Sequence, residues 1–427
     1  MTPDPIAMIE REVRAEHATK NGHAAIRAGA QFSSVGEDRY RFELPAIGVV
    51  FDIDRLRRDK SELSGELAVS CQLPGARTVN GILSIADFNL SSLRARQDRA
   101  KALAQRANVQ GVDWYGLVEE FCQRVLSADR KGQPAVDLRT VAAPADTLAI
   151  EVEGFQVWRK HPTVIFGDGG TAKSYLGLYY AGMLAERGIS VALFDWELGA
   201  EDHRVRLERM FPDGMPRVLY ARCERALVHE TDRLRRIVRE NAIEFAIFDS
   251  VAFACDGPPE AAEVAGRYLR AVRQIGIGLL HIAHVTKADN GDQRPFGSIF
   301  WHNGARSTWY VKAAEGSPDS SVLEIGLFNR KVNLGRLHAP LGYRITFTDE
   351  QTSFRRLDVA SNPDLAAKMS VRHRMLHLLK RGAMSADELA EAIEADPETV
   401  RRTARRYKEQ FLVMPGGRLG LLEKRAL

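Results

Sequence analysis

The sequence has few cysteines, and Cys71, Cys122, Cys223 and Cys255 stand far apart, with no Cys-x-x-Cys pair and no histidine at metal-ligand spacing. That spacing excludes a disulfide framework and a zinc site, and leaves reduced, buried thiols as the expectation. No apolar run approaches the roughly 18 to 20 residues that a membrane helix needs. The first residues, MTPDPIAMIEREVRAEH, are charged where a secretory signal would be apolar. A cytoplasmic protein without a membrane partner is therefore expected. Internal repeats and low-complexity tracts are absent too, and the net charge of +4 is too small to announce nucleic acid by itself. Basic residues nevertheless crowd positions 93–106 and the last sixty or so positions.

What is present is ordinary globular composition, 45% hydrophobic and 27% charged over 427 residues, enough for two or three domains. Residues 1–140 read as an N-terminal α+β domain and linker. A polar, Ala-rich helix is expected within 1–30, then strand alternation in Tyr40, Phe42 and Leu44 and in Leu67, Val69, Cys71 and Leu73. Ser91 and Ser92 can cap a helix, and a second helix follows with Trp114, Leu117, Phe121 and Val125 on one face. Residues 128–148, rich in Pro, Ala and charge, have the composition of a linker. From 141 to 360, apolar runs of four to eight residues alternate with helical patterns. Such runs, without alternation, mark strands buried on both faces, and helices between them imply a parallel sheet.

The first of these runs, Thr163-Val164-Ile165-Phe166, leads directly into Gly167-Asp168-Gly169-Gly170-Thr171-Ala172-Lys173-Ser174 and then a helical pattern from Tyr175. Strand, Gly-rich loop, Lys-Ser and helix make a P-loop, in which main-chain N–H groups and a helix N-terminus cradle phosphates. Residues Gly167 to Tyr175 are thus the expected ATP-binding segment, with Lys173 on the β- and γ-phosphates and Ser174 on Mg²⁺. Ala172 stands where the common pattern has Gly, and ordinary helical geometry is expected there.

Ligands in an open parallel sheet lie beyond the carboxyl ends of the strands. The run Val191–Phe194 ends in Asp195-Trp196-Glu197, which offers Glu197, and less well Asp195, to activate water. The run Phe245–Phe248 ends in Asp249, an acid suited to Mg²⁺. In the fourth run, alternation puts His281 in the core and leaves His284 or Lys287 as the γ-phosphate sensor.

This order of motifs, with LLHIAHVTK and PFGSIFWHNGAR, resembles the RecA superfamily over roughly residues 150–340, in particular the plasmid RepA-type hexameric helicases and their phage relatives, with DnaB further off. The resemblance implies a RecA-like parallel sheet core, a homo-oligomer in the form of a hexameric ring, and channel loops in which Lys287 and Arg294 meet DNA. It also implies a cation from Phe328-Asn329-Arg330-Lys331 that reaches a neighbouring subunit's γ-phosphate, Arg330 or Lys331.

After Ser361-Asn362-Pro363, residues 365–427 read as a winged helix-turn-helix. Ser385-Ala386-Asp387-Glu388 is a capping box, Asp396-Pro397 opens a third helix, and FLVMP, Gly416-Gly417 and RLGLL form a wing. Arg401, Arg402, Arg405 and Arg406 make two like-charged i,i+4 pairs that an anion would relieve, and with Arg418 they are the candidate DNA contacts. The fold expected is α/β, a RecA-like P-loop core with an N-terminal α+β domain and a C-terminal winged helix-turn-helix. The function expected is a DNA-associated ATPase using ATP and Mg²⁺, as a helicase or translocase. The alternative is an ATP-gated DNA-binding assembly factor.

Overall fold

A computed structural model describes residues 26–27, 29–35, 39–132, 135–142, 149–285, 295–296, 299–316, 321–333 and 335–422. Most of the helix expected within 1–30, and the channel candidates Lys287 and Arg294, lie outside the described residues. The chain divides into two compact units, Met1–Ala143 and Pro144–Leu427.

The first unit is an antiparallel sheet in chain order, β1 (Gln31–Ser34), β2 (Tyr40–Leu44), β3 (Val49–Asp59), β4 (Glu62–Cys71) and β5 (Ile82–Asn89), followed by helices α1 (Leu93–Ala107) and α2 (Trp114–Lys131). The alternating apolar residues of β2 to β4 and the Trp114, Leu117, Phe121, Val125 face of α2 form one core, with Phe51 stacked 5.4 Å from Phe121. Leu73 lies beyond the end of β4. Ser92 caps α1 by accepting from the Ala95 amide at 3.3 Å. The basic run of α1 is tied to its own unit: Arg96 pairs with Glu119 at 2.9 Å and Arg99 donates to the Ser84 hydroxyl at 2.7 Å. Helix α2 extends to Lys131, into the segment expected as linker, and stops where the Gly132 amide bonds back to Ala128 and Asp129.

The second unit opens with a hairpin, β6 (Ala149–Val152) and β7 (Phe155–Trp158), and is built on a nine-stranded sheet. Its strands are β8 (Pro162–Gly167), β9 (Val191–Asp195), β10 (Val218–Arg222), β11 (Phe245–Asp249), β12 (Gly278–His284), β13 (Ser307–Ala313), β14 (Val322–Val332), β15 (Leu341–Phe347) and β16 (Thr352–Leu357). They lie in the order β10-β9-β11-β12-β8-β13-β14-β15-β16. Pairs from β10 through β13 are parallel, whereas β13–β14, β14–β15 and β15–β16 are antiparallel. The wholly parallel sheet expected from the sequence is therefore mixed. A parallel return needs a crossover of about a dozen residues or more, and the connections after β13, β14 and β15 are too short for one.

Helices α3 (Lys173–Glu186), α4 (Ala200–Met210), α5 (Leu227–Glu240), α6 (Val251–Ala254), α7 (Ala262–Ile275) and α8 (Ile299–Gly304) complete this part of the unit. Alternate residues of the buried strands serve two cores. Val164, Phe166 and Phe248 pack with Leu234 of α5 and Tyr268 of α7, while Ile165, Leu193 and Ile247 pack with Leu176 and Tyr180 of α3 and Leu207 of α4. Burying Val164, Ile165 and Phe166 stabilises by about 1.5–3 kcal/mol each, which fixes β8 centrally and with it the loop that follows.

The chain ends in α9 (Pro363–Ala366), α10 (Val371–Leu379), α11 (Ala386–Ala392) and α12 (Pro397–Arg406), then a hairpin of β17 (Phe411–Val413) and β18 (Leu419–Leu421). Met375, Leu389, Val400, Phe411 and Leu419 share a small core. The Ser385–Glu388 capping box is formed, with reciprocal bonds of 2.7 and 3.1 Å, and Asp396 caps α12 ahead of Pro397.

Gly167 is required by a close approach, since a Cβ there would stand 2.3 Å from the Val311 carbonyl of β13. Gly167→Ala is expected to destabilise the chain by about 1–3 kcal/mol through this overpacking, read as a lowered urea midpoint; an unchanged midpoint would contradict the register.

Candidate functional site

Strand β8 ends at Gly167, the loop turns through residues 168–172, and α3 begins at Lys173. The first bond into the helix runs from the Leu176 amide to Ala172, at 2.9 Å, and the amides of a helix's first turn have no partner within the helix. Gly170 has φ 74° with open space around it. Ala172 has φ 58° and ψ 26°, so the expectation of ordinary helical geometry is corrected. The residue is left-handed, a conformation that costs an L-residue about 1–2 kcal/mol. Lys173 is 5% exposed and donates to Gly167 O at 3.1 Å, Asp168 O at 2.6 Å and Thr171 Oγ1 at 3.3 Å. Burial pulls its pKa down to about 8, against the opposing pull of Asp249, Asp168 and Glu197.

The acids stand at the ends of neighbouring strands, because Asp249 and Asp195 are register partners across β11 and β9. Asp249 is buried and its carboxyl is hydrogen-bonded to Ser174. Desolvation raises its pKa to about 6; the Ser174 bond opposes the shift and the charges of Asp195 and Glu197 add to it. Glu197 is exposed, and the Ser250 hydroxyl donates to its Oε1. Asp195 is fully buried and accepts from the Glu197 and Leu198 amides and from His203, so this carboxylate is committed to the turn and not to water. His284 lies level with Gly167 across β12 and β8, half-buried, its pKa lowered by burial and by Lys173. His281 is buried in the core, 2.8 Å from the Tyr268 hydroxyl.

Residues 170–175, Glu197, Asp249 and His284 line one cleft of about 460 Å³. Arg206 of α4 and Leu323 and Phe347 of the antiparallel strands complete its wall. The Arg206 guanidinium lies 4.6 Å over the Tyr175 ring, and Tyr175 meets Phe347 edge-to-face at 5.2 Å. No local pattern marks Arg206 or Phe347 in the sequence, since each reaches the cleft through tertiary packing; Ser250 follows Asp249 directly in the Asp249-Ser250 pair that ends β11, and its contact is with Glu197. A larger cleft of about 630 Å³ lies between α4 and β10 and contains none of Lys173, Ser174, Glu197 or Asp249, so size does not single out the chemistry.

No family model and no curated protein matches the chain. Solved structures do. A solved ATPase domain matches at 11% identity over 47% of this chain and 85% of its own, with a TM-score of 0.38. A KaiC-like protein from the hyperthermophilic archaeon Pyrococcus horikoshii matches at 15% identity over 46% of this chain and 90% of its own, with a TM-score of 0.36.

The donor set at the cleft suits a hard divalent cation held jointly with phosphate: a hydroxyl on Ser174, a carboxylate on Asp249, and neither thiolate nor imidazole on that pair. Among the described residues no group of three or more His, Cys, Asp or Glu forms a cage for a metal. The remaining candidates lie elsewhere. Arg330 rests over the Tyr310 and Phe328 rings at 5.5 and 5.7 Å. Lys331 donates to His302, Asn303 and Ala305 carbonyls at 2.7 to 2.9 Å, which makes it a cap for the end of α8 rather than an outward cation. On α12 acids of the same module answer one of the two like-charged pairs, Arg401 and Arg405. Arg401 bonds Asp387 at 2.7 Å, Arg405 lies 3.8 Å from Glu398, and Arg418 bonds Ala383 O at 2.7 Å beside Glu388. Arg406 lies 5.7 Å over the Tyr407 ring, and Arg402 is exposed.

Ala172→Gly is expected to leave stability unchanged or raise it by up to about 1 kcal/mol, since relief of left-handed strain is offset by the freedom of glycine in the unfolded chain. A loss above about 1 kcal/mol in thermal or urea unfolding would contradict the conformation of residue 172.

Proposed function

We propose that the second unit is a RecA-type ATPase that hydrolyses ATP with Mg²⁺ in the cleft beyond β8, and that the chain spends this hydrolysis on DNA as an oligomeric helicase or translocase. The observation that carries the reading is the meeting of Lys173, Ser174, Glu197 and Asp249 around one cleft, from the ends of three different strands. A helix N-terminus and a buried ammonium suit a triphosphate. Tyr175, Arg206 and Phe347 offer an aromatic and guanidinium face to a nucleobase. Glu197, steadied by Ser250, is suited to orient the attacking water and take its proton. Ser174 and Asp249 would hold Mg²⁺, which when bound neutralises charge on the phosphates. Arg330 or Lys331 is the candidate cation for a neighbouring subunit's phosphate; Lys331 is engaged by three carbonyls and Arg330 by the Tyr310 and Phe328 rings, so either would have to exchange partners.

Three helices and a hairpin in the order α10, α11, α12, β17, β18 support a winged helix-turn-helix reading for the last sixty or so residues. In it Arg402 and Arg406, exposed on α12, are the leading DNA contacts. The pairing of Arg401, Arg405 and Arg418 with acids or carbonyls of the same module favours a second reading, in which ATP sets an assembly state and the module recruits DNA or a protein. Displacement of a strand from a forked duplex separates the two, since only the motor reading requires it, and particles with ATP analogue and DNA are expected as six-fold rings.

ATP hydrolysis is expected to rise when single-stranded or duplex DNA is added; equal rates with and without DNA would remove the motor. Lys173→Ala is expected to lower kcat by about 100-fold or more with the fold intact by circular dichroism, and retained turnover would remove the phosphate-loop assignment. The ammonium is charged below its pKa of about 8 and neutral above it. ATP affinity, followed by titration at fixed Mg²⁺, should therefore weaken as pH rises through about 8, and a flat profile from pH 7 to 9.5 would contradict that role.

A further inference from the structure

We propose that His203 is a positioning residue for Glu197, acting through Asp195. The inference rests on the reading of the cleft as an ATPase site and deepens it. Asp195 ends β9 fully buried, where a carboxylate is costly unless both oxygens are answered. One oxygen, Oδ2, receives His203 Nε2 at 2.7 Å. The other, Oδ1, receives the main-chain amides of Glu197 and Leu198, the latter at 2.7 Å. The same carboxylate that His203 holds is thus the acceptor that fixes the backbone of Glu197.

His203 sits in the first turn of α4, which starts directly after this turn, so the Asp195–His203 bond closes the segment that projects Glu197. Arg222 also lies 3.7 Å from Asp195 Oδ1, and the remaining anchors hold the neighbours. The Trp196 amide donates to Asp249 O at 2.7 Å, its indole to Arg225 O at 2.8 Å, and Leu198 O accepts from the Tyr220 hydroxyl at 2.7 Å and from Arg222 at 2.9 Å. The amide of Glu197 itself is held by Asp195. Above that fixed backbone, the Ser250 hydroxyl holds the Glu197 carboxylate. His203 does not line the phosphate cleft; it belongs to the wall of the larger cleft between α4 and β10. Its charge also bears on Asp249, so the variant in the Glu197→Gln background is what isolates the path through the turn.

Four variants of the full chain carry the test. His203→Leu removes the donor and His203→Asn sets its amide nitrogen too short to span the gap. His203→Gln places a nitrogen near the position of Nε2, and Glu197→Gln removes the activating carboxylate. His203→Leu and His203→Asn are expected to lower kcat about 10- to 100-fold, the scale of a misplaced catalytic group, with the KM for ATP changed less than about threefold. His203→Gln is expected to recover kcat to within about threefold of the wild type. In the Glu197→Gln background, His203→Leu should give no further loss, because two residues acting in series are not additive. Should His203→Leu fail to fold, the contrast between Asn and Gln carries the same test. Unchanged kcat in the Asn and Leu variants, or losses that add to those of Glu197→Gln, would overturn the inference while leaving the ATPase reading standing. A wild type without turnover, or a Glu197→Gln variant with full turnover, would instead overturn that reading and this inference with it.

Discussion

The interaction on which the cleft depends is the burial of the Lys173 ammonium at the head of α3, held by the carbonyls of Gly167 and Asp168. A buried cation without partners is costly. Here the loop wraps its own lysine, and Asp249 and Glu197 supply negative potential nearby. On the proposed reading, a triphosphate arriving at the loop would exchange these carbonyls for phosphate oxygens, so binding would swap one set of partners for another instead of creating the site from nothing. The cleft is preorganised in charge before any ligand enters it.

That arrangement requires strand ends that do not move. Strands β8, β9, β11 and β12 are buried on both faces, with one core shared with α5 and α7 and the other with α3 and α4. Residues distant in sequence therefore meet within one register: His284 beside Gly167, and Asp249 beside Asp195. The antiparallel strands add what a purely parallel sheet would lack, since Leu323 and Phe347 close the cleft on that side.

Much of this is legible in the sequence because the determining signals are local. An apolar run, a Gly-rich loop and a Lys-Ser pair lie in one short segment, and apolar runs ending in acids mark Glu197 and Asp249. The caps at Ser92, Ser385 and Asp396 are also short-range patterns, and each forms as the residues imply. What the sequence conceals is set by contacts between distant segments. Ala172 takes the left-handed region although alanine disfavours it, Lys331 caps α8, and acids on α11 and α12 answer Arg401 and Arg405. Asp195 shows the same limit, because an acid at a strand's end reads identically whether it faces solvent or, as here, lies buried against a histidine from the next helix.

The two outer strands of the large sheet, β10 and β16, have a further consequence. Each leaves one side of its backbone without a neighbouring strand among the described residues, and such edges invite cross-chain ribbons and aggregation. Strand β10 is only five residues long, is preceded by Pro216 and is bracketed by exposed Arg217 and Arg222, while β16 carries exposed Arg355 and Arg356. Shortness, a proline and like charge at both margins guard against edge-to-edge polymerisation, so copies of this chain are steered to meet through side-chain surfaces rather than by extending one another's sheets.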